Sequence, residues 1–137
     1  MSTPFRTTRR VEFCHTDAAG IAHFGAFFQF MEQAEHEFLR SRDLSVFMND
    51  DQGIISWPRV AARCEFQSSA RFEDVLDIEV SISRLGEKSI TYGFQFRLEE
   101  TVVASGELTA VCCRMTDQSP PQPIDIPQWF RDKLGNS

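Results

Sequence analysis

Apolar and polar positions alternate at two different periods along this chain, and the change of period divides it. From Phe5 to Cys14, residues Phe5, Thr7, Arg9, Val11 and Phe13 fall on one side, and Arg6, Thr8, Arg10, Glu12 and Cys14 on the other. That alternation predicts a strand. His15 to Gly25 is rich in small residues, with Gly20 and Gly25 as points where the backbone turns freely. From Phe24 to about Arg42 the spacing becomes helical. Phe27, Phe28, Met31, Ala34, Phe38 and Leu39 share one broad side, with Gln29, Gln33, Glu37 and Arg40 opposite. Such a helix is expected to lie on a sheet. Glu35 projects near the middle of the apolar side, where a carboxylate needs a partner. The expectation is a pairing with an arginine such as Arg63 or Arg97, and His36 is read as a surface residue.

After the helix, Asp43 to Trp57 reads as loop, with Asn49, Asp50, Asp51 and Gly53 as turn residues. Four stretches of period 2 follow. They are Arg59 to Gln67, Leu76 to Arg84, Ser89 to Leu98 and Val102 to Met115. Leu85 to Lys88 and Glu99 to Thr101 are short enough to be hairpin turns, so the last three strands form an antiparallel meander. Asp117 to Pro127 holds four prolines and reads as an extended tail, and Pro127 opens a short helix at Gln128 to Leu134. The order predicts an α+β fold, a five-stranded antiparallel sheet wrapped around one long central helix. At 137 residues it is read as one domain, with a core at about 5–115 and a Pro-rich tail at 116–137.

Composition narrows the chemistry. A net charge of −6 argues against nonspecific nucleic-acid binding, which needs a basic surface. Thirteen Phe against one Tyr and two Trp imply many rings without a polar tip, buried in the core or at a subunit contact. Cys14, Cys64, Cys112 and Cys113 form no C-x-x-C, so reduced thiols are expected and neither a disulfide framework nor a metal site. MSTPFRTTRR lacks the apolar stretch of a secretory signal, and no apolar run reaches the ~20 residues of a membrane span. A cytoplasmic protein is the expectation.

The first strand-to-helix junction reads His15-Thr16-Asp17-Ala18-Ala19-Gly20-Ile21-Ala22-His23-Phe24-Gly25-Ala26-Phe27. With the helix and strands that follow, it resembles the hotdog-fold acyl-CoA thioesterases, in the branch of 4-hydroxybenzoyl-CoA thioesterase and the Tol–Pal-associated thioesterase. Glu32, Leu39, Ala70 to Asp74, Ile78 and the Arg84 to Ser89 turn extend the resemblance. It implies an acyl-CoA substrate, no cofactor beyond the CoA it carries, and a homodimer joined at its sheet edges, paired again into a tetramer. It also implies that Asp17 attacks the thioester carbonyl or activates water to do so. Backbone N–H groups at the helix start, near His23, Phe24 and Gly25, would polarise the carbonyl oxygen. That fits the positive end of a helix dipole. His23 and Phe24 depart from the branch's usual residues, which leaves the shape of the acyl pocket open.

A lone Asp ahead of a helix is ordinarily a turn or cap residue, so the catalytic reading of Asp17 rests on the motif. His15 and His23 flank it and could orient it. Glu32, at the edge of the apolar side, is a supporting residue at most. Glu35 lies too far along the helix to share a reacting carbon with its start. Arg84, Lys88 and Ser89, with Arg59, Arg63 and Arg71, are candidates for contacts to the CoA phosphates. A module that holds an acyl thioester without turnover, and a hotdog hydratase, are the alternatives.

Overall fold

The computed structural model describes residues 4–117 and 119–135. Met1 to Thr3 of the amino-terminal stretch, Gln118 of the proline-rich segment, and Asn136 and Ser137 lie outside the described residues. The long helix, α1, runs Phe24–Arg40. Five strands make the main sheet: β1 (Phe5–Arg10), β4 (Arg59–Phe66), β5 (Val75–Leu85), β6 (Ser89–Leu98) and β7 (Thr101–Val111). Their order is β1-β5-β6-β7-β4, every pairing antiparallel. This is the expected hotdog arrangement, one sheet curled over one long helix.

The core lies between α1 and the inner face of the sheet. Leu76, Ile78 and Val80 of β5, Ile90, Tyr92, Phe94 and Phe96 of β6, and Ala104, Leu108 and Ala110 of β7 are all buried there. Against them α1 buries Ala26, Phe27, Phe30, Met31, Ala34, Glu35, Phe38 and Leu39. The buried face is wider than the period suggests: Phe30 and Ala26 join it, while Phe28 is only half-buried. Helix and sheet approach closely at Gly106. A Cβ there would lie 2.8 Å from Met31 Sδ and 3.0 Å from the Arg63 carbonyl oxygen, so a larger residue would force the Met31 thioether and the neighbouring strand to shift.

Several expectations are corrected. β1 stops at Arg10, and Phe13–His15 form a turn of 3₁₀ helix. The strand ends because the Val11 N–H bonds to the Asp74 carbonyl and the Val11 carbonyl accepts from the Glu73 N–H, which turns the chain at the sheet's rim. Asp43 to Trp57 is not loop throughout. It holds a hairpin of β2 (Phe47–Asp50) and β3 (Gly53–Ser56). Val102 to Met115 is not one strand: the chain leaves the main sheet at Cys112, and β8 (Cys113–Met115) pairs with β3 instead. β9 (Gln122–Pro123) pairs with β8, so a small second sheet runs β2-β3-β8-β9. Arg114 fastens it by two hydrogen bonds to the Asp50 carboxylate.

α2 (Gln128–Leu134) begins after Pro127, as expected. It buries Phe130 and Leu134, and Phe130 meets the Trp57 ring at 5.0 Å between centroids. The carboxyl-terminal segment thus carries part of the hydrophobic cluster. Among the described residues, no helix is long and apolar enough to cross a membrane.

Candidate active site

The D-A-A-G run folds as a tight turn. The Gly20 N–H bonds to the Asp17 carbonyl at 2.9 Å, and the Asp17 N–H bonds to the Ile21 carbonyl at 3.0 Å. Gly20 has φ +78°, which a side chain would resist. Asp17 Oδ1 accepts the Ala19 N–H at 2.9 Å, the usual reason for Asp at the first turn position. Two features of the motif are therefore explained by the turn alone. The turn does not account for the carboxylate's other oxygen. Asp17 is exposed, and Oδ2 has no partner among the described residues.

That carboxylate stands at the lip of a cleft of about 410 Å³. Asp17, Ile21, Ala22, Phe24 and Phe27 line one side, and Phe66 to Ala70 line the other. The two walls are stitched by the Ala22 N–H to the Ala70 carbonyl at 2.7 Å and by an antiparallel bridge between Ile21 and Arg71. Phe27 anchors the aromatic end, with Phe66 and Phe96 each 5.2 Å away edge to face. The far wall was not anticipated. Its sequence signals are the small-residue run Ser68-Ser69-Ala70 between two strands and the resemblance that begins at Ala70.

The start of α1 enters the same cleft. His23 is the helix cap: its Nδ1 accepts the Gly25 N–H at 3.0 Å, and its carbonyl accepts the Ala26 N–H. An Nδ1 that accepts leaves the neutral ring's proton on Nε2. The His23 N–H is held by the His15 carbonyl at 2.7 Å. Of the three N–H groups considered for the carbonyl oxygen, two are thus engaged, and that of Phe24 has no partner among the described residues. The Phe24 ring, 63% exposed, stacks on His23 at 4.4 Å. His15 does not touch the Asp17 carboxylate. Its Nδ1 accepts the Glu12 N–H at 2.9 Å and its ring packs on Phe30.

The remaining candidates disperse. Arg59 is committed to Glu35, whose two oxygens accept its guanidinium at 2.9 and 2.5 Å, with Glu32 3.9 Å from the same group. Arg59 is the partner in place of Arg63 or Arg97. A bulge between Arg59 and Ala61 turns Arg59 inward, while Arg63 faces outward against Glu107 and Arg97 bonds Gln95. Glu35 is 1% exposed, and burial raises its pKa although Arg59 opposes the rise. His36 is not a plain surface residue. Its Nε2 is buried without a hydrogen bond, 3.7 Å from Glu35. Lys88 pairs with Asp125 at 2.7 Å. Arg84, Lys88 and Ser89 sit at the β5–β6 turn. That is the opposite end of the sheet from the cleft, about eight residues or ~26 Å along β5. Arg71 alone of this group lies at the cleft's end. Among the described residues, no three His, Cys, Asp or Glu side chains converge as a metal-ligand set.

Residues 19–105 match the thioesterase superfamily, which is well over half of the chain. The chain belongs to the thioesterase superfamily. Two relatives are similar to this thioesterase. A 1,4-dihydroxy-2-naphthoyl-CoA hydrolase of Synechococcus sp. (strain CC9605) is 33% identical, over 76% of this chain and 73% of its own. The acyl-CoA thioester hydrolase YbgC of Escherichia coli O6:H1 is 28% identical, over 81% and 83%. The crystal structure of Slr0204, a 1,4-dihydroxy-2-naphthoyl-CoA thioesterase from Synechocystis, superposes with TM-score 0.83. The superposition covers 98% of this thioesterase and 97% of Slr0204, at 22% identity, a likeness of fold.

Proposed function

We propose that this thioesterase hydrolyses an acyl-CoA thioester to the free acid and coenzyme A, with Asp17 as the reacting carboxylate. The observation that carries the reading is the free oxygen of Asp17 at the mouth of an apolar cleft that also receives the start of α1. Two routes balance. In one, Asp17 attacks the carbonyl carbon, the thiolate leaves, and water cleaves the resulting anhydride. In the other, Asp17 takes a proton from water, the hydroxide adds, and the tetrahedral adduct expels the thiolate, which is then protonated. In both, the Phe24 N–H and the helix dipole stabilise the negative charge on oxygen. A thiolate leaves readily, so neither route asks for a metal or an organic cofactor. An aromatic acyl group suits the cleft, whose exposed rings Phe24 and Phe66 offer edges and faces for stacking.

We also infer a homodimer built through β4, with pairing of two dimers as the next level. β4 is an edge strand with an open row of backbone groups, and it leaves Val60 61% and Phe66 47% exposed. An unprotected edge of this kind invites a second strand. Antiparallel pairing of two β4 strands about a two-fold axis would bring the partner's far sheet end toward this cleft.

The test is thiol release from short, long and aromatic acyl-CoAs. One free thiol per thioester, fastest with an aromatic acyl group, is the expected result. Tight binding of acyl-CoA with no thiol released would replace hydrolysis by a holding role.

A further inference from the structure

Phe13 and Phe72 are left unexplained by the cleft. Phe13 keeps 77% of its surface in water and Phe72 47%, so neither is a core ring. They meet edge to face, centroids 5.9 Å apart and planes at 83°. Two rings at right angles form an open corner, in which one supplies a free π face and the other a wall.

The corner adjoins the cleft on both strands of its rim. Ile21 lines the cleft and pairs with Arg71, the residue before Phe72. Thr16, the residue before Asp17, bonds to the Phe13 carbonyl through both its N–H and its hydroxyl. Two exposed cations lie near the rings in sequence. Arg71 adjoins Phe72, and Arg10 lies three residues before Phe13. Neither guanidinium has a hydrogen bond or ion pair among the described residues, a state they share with Arg40 and Arg84, whereas Arg6, Arg9, Arg59, Arg63, Lys88 and Arg114 are paired. Glu12, Glu73 and Asp74 are the nearby acids, and Asp74 Oδ2 is turned onto the Arg71 N–H at 2.8 Å. With acids and cations mixed, recognition falls first on the rings.

We propose that this corner stacks the adenine base of the substrate's coenzyme A, with Arg71 and Arg10 beside the nucleotide's phosphates. The proposal rests on the acyl-CoA reading above. Adenine offers a flat π face that stacks without edge hydrogen bonds, and phenylalanine, with no polar tip, supplies the matching surface. The thioester lies at Asp17, and the flexible pantetheine arm follows the rim over Ile21 to the rings.

The experiment pairs an acyl-CoA with the same acyl group on pantetheine, which lacks the nucleotide. In the double variant Phe13→Ala/Phe72→Ala the KM for acyl-CoA rises about tenfold, within the range for loss of a base–aromatic stack. The KM for acyl-pantetheine stays as in the wild type. Phe13→Tyr/Phe72→Tyr keeps both π faces and restores the lower KM. An equal rise for both substrates, or none for acyl-CoA, overturns the proposal. Calorimetry with adenosine 3′,5′-bisphosphate reads the site even if no thioester is hydrolysed. Binding to the wild type that weakens about tenfold in the double alanine variant supports the corner. No binding, or equal binding to both, overturns it. A fall in particle mass in the double alanine variant assigns the rings to a contact between copies, and also overturns it.

Discussion

The entrance and the middle of α1 each hold a carboxylate, and the two are physical opposites. Asp17 is exposed at an apolar cleft, with one oxygen holding its own turn and the other without a partner among the described residues. Glu35 is sealed from water, with both oxygens taken by Arg59 and an unpartnered His36 nitrogen close by. An acid whose two oxygens are both held in a buried ion pair is suited to fixing α1 against β4. An acid with a spare oxygen at a cleft that also receives the start of α1 is suited to chemistry. Burial alone would have pointed to Glu35, whose raised pKa is the kind of shift often found at active sites. The bidentate pairing turns that reading around.

Changing each region in turn would break or sharpen the contrast. Asp17→Asn carries the largest effect. Thiol release falls about a thousandfold, while the melting temperature stays, because Asn can accept the Ala19 N–H as Asp17 does. Arg59→Leu strands the Glu35 charge in the core and lowers stability by about 3 kcal/mol in urea unfolding at neutral pH. Part of that loss returns on acidification. With its pKa raised further by the missing cation, Glu35 is protonated in the folded protein first, so stability rises as pH falls through the raised value. His23→Ala removes the cap from the Gly25 N–H and costs about 1 kcal/mol, read by the same unfolding experiment. The smallest effect concerns His36, whose pKa is lowered chiefly by burial. The unfolded chain then binds the extra proton first. Its contribution is complete above the ordinary value of 6.5 and is lost as pH falls through the lowered one. His36→Gln should flatten the stability–pH curve in that window.

Much of the fold is written in the periods. β5, β6 and α1 emerge close to their expected bounds because each buries a long regular face. β2 and β3 are four residues each and sit among turn-forming residues. Their stability comes from β8, sixty residues on, which no local pattern announces. The exit of the chain at Cys112 is hidden for a similar reason: Cys112 and Cys113 are both buried, so the alternation runs on past the change of sheet. In the site, Asp17 is legible through its motif, yet the far wall at Phe66 to Ala70 is brought there by topology. Glu35 announces its need for a cation from helical spacing alone. Which arginine answers depends on one bulge, since Arg59 and Arg63 would share a face in a regular strand.

The central claim is that catalysis belongs to the entrance of α1 and structure to its middle. The most direct test is the single-turnover rate of thiol release from an aromatic acyl-CoA by Asp17→Asn and Glu35→Gln, each corrected for its folded fraction. Asp17→Asn should lose about a thousandfold, and Glu35→Gln should stay within about threefold of the wild type. A folded Asp17→Asn protein with wild-type turnover, or a folded Glu35→Gln protein that has lost it, would contradict the account.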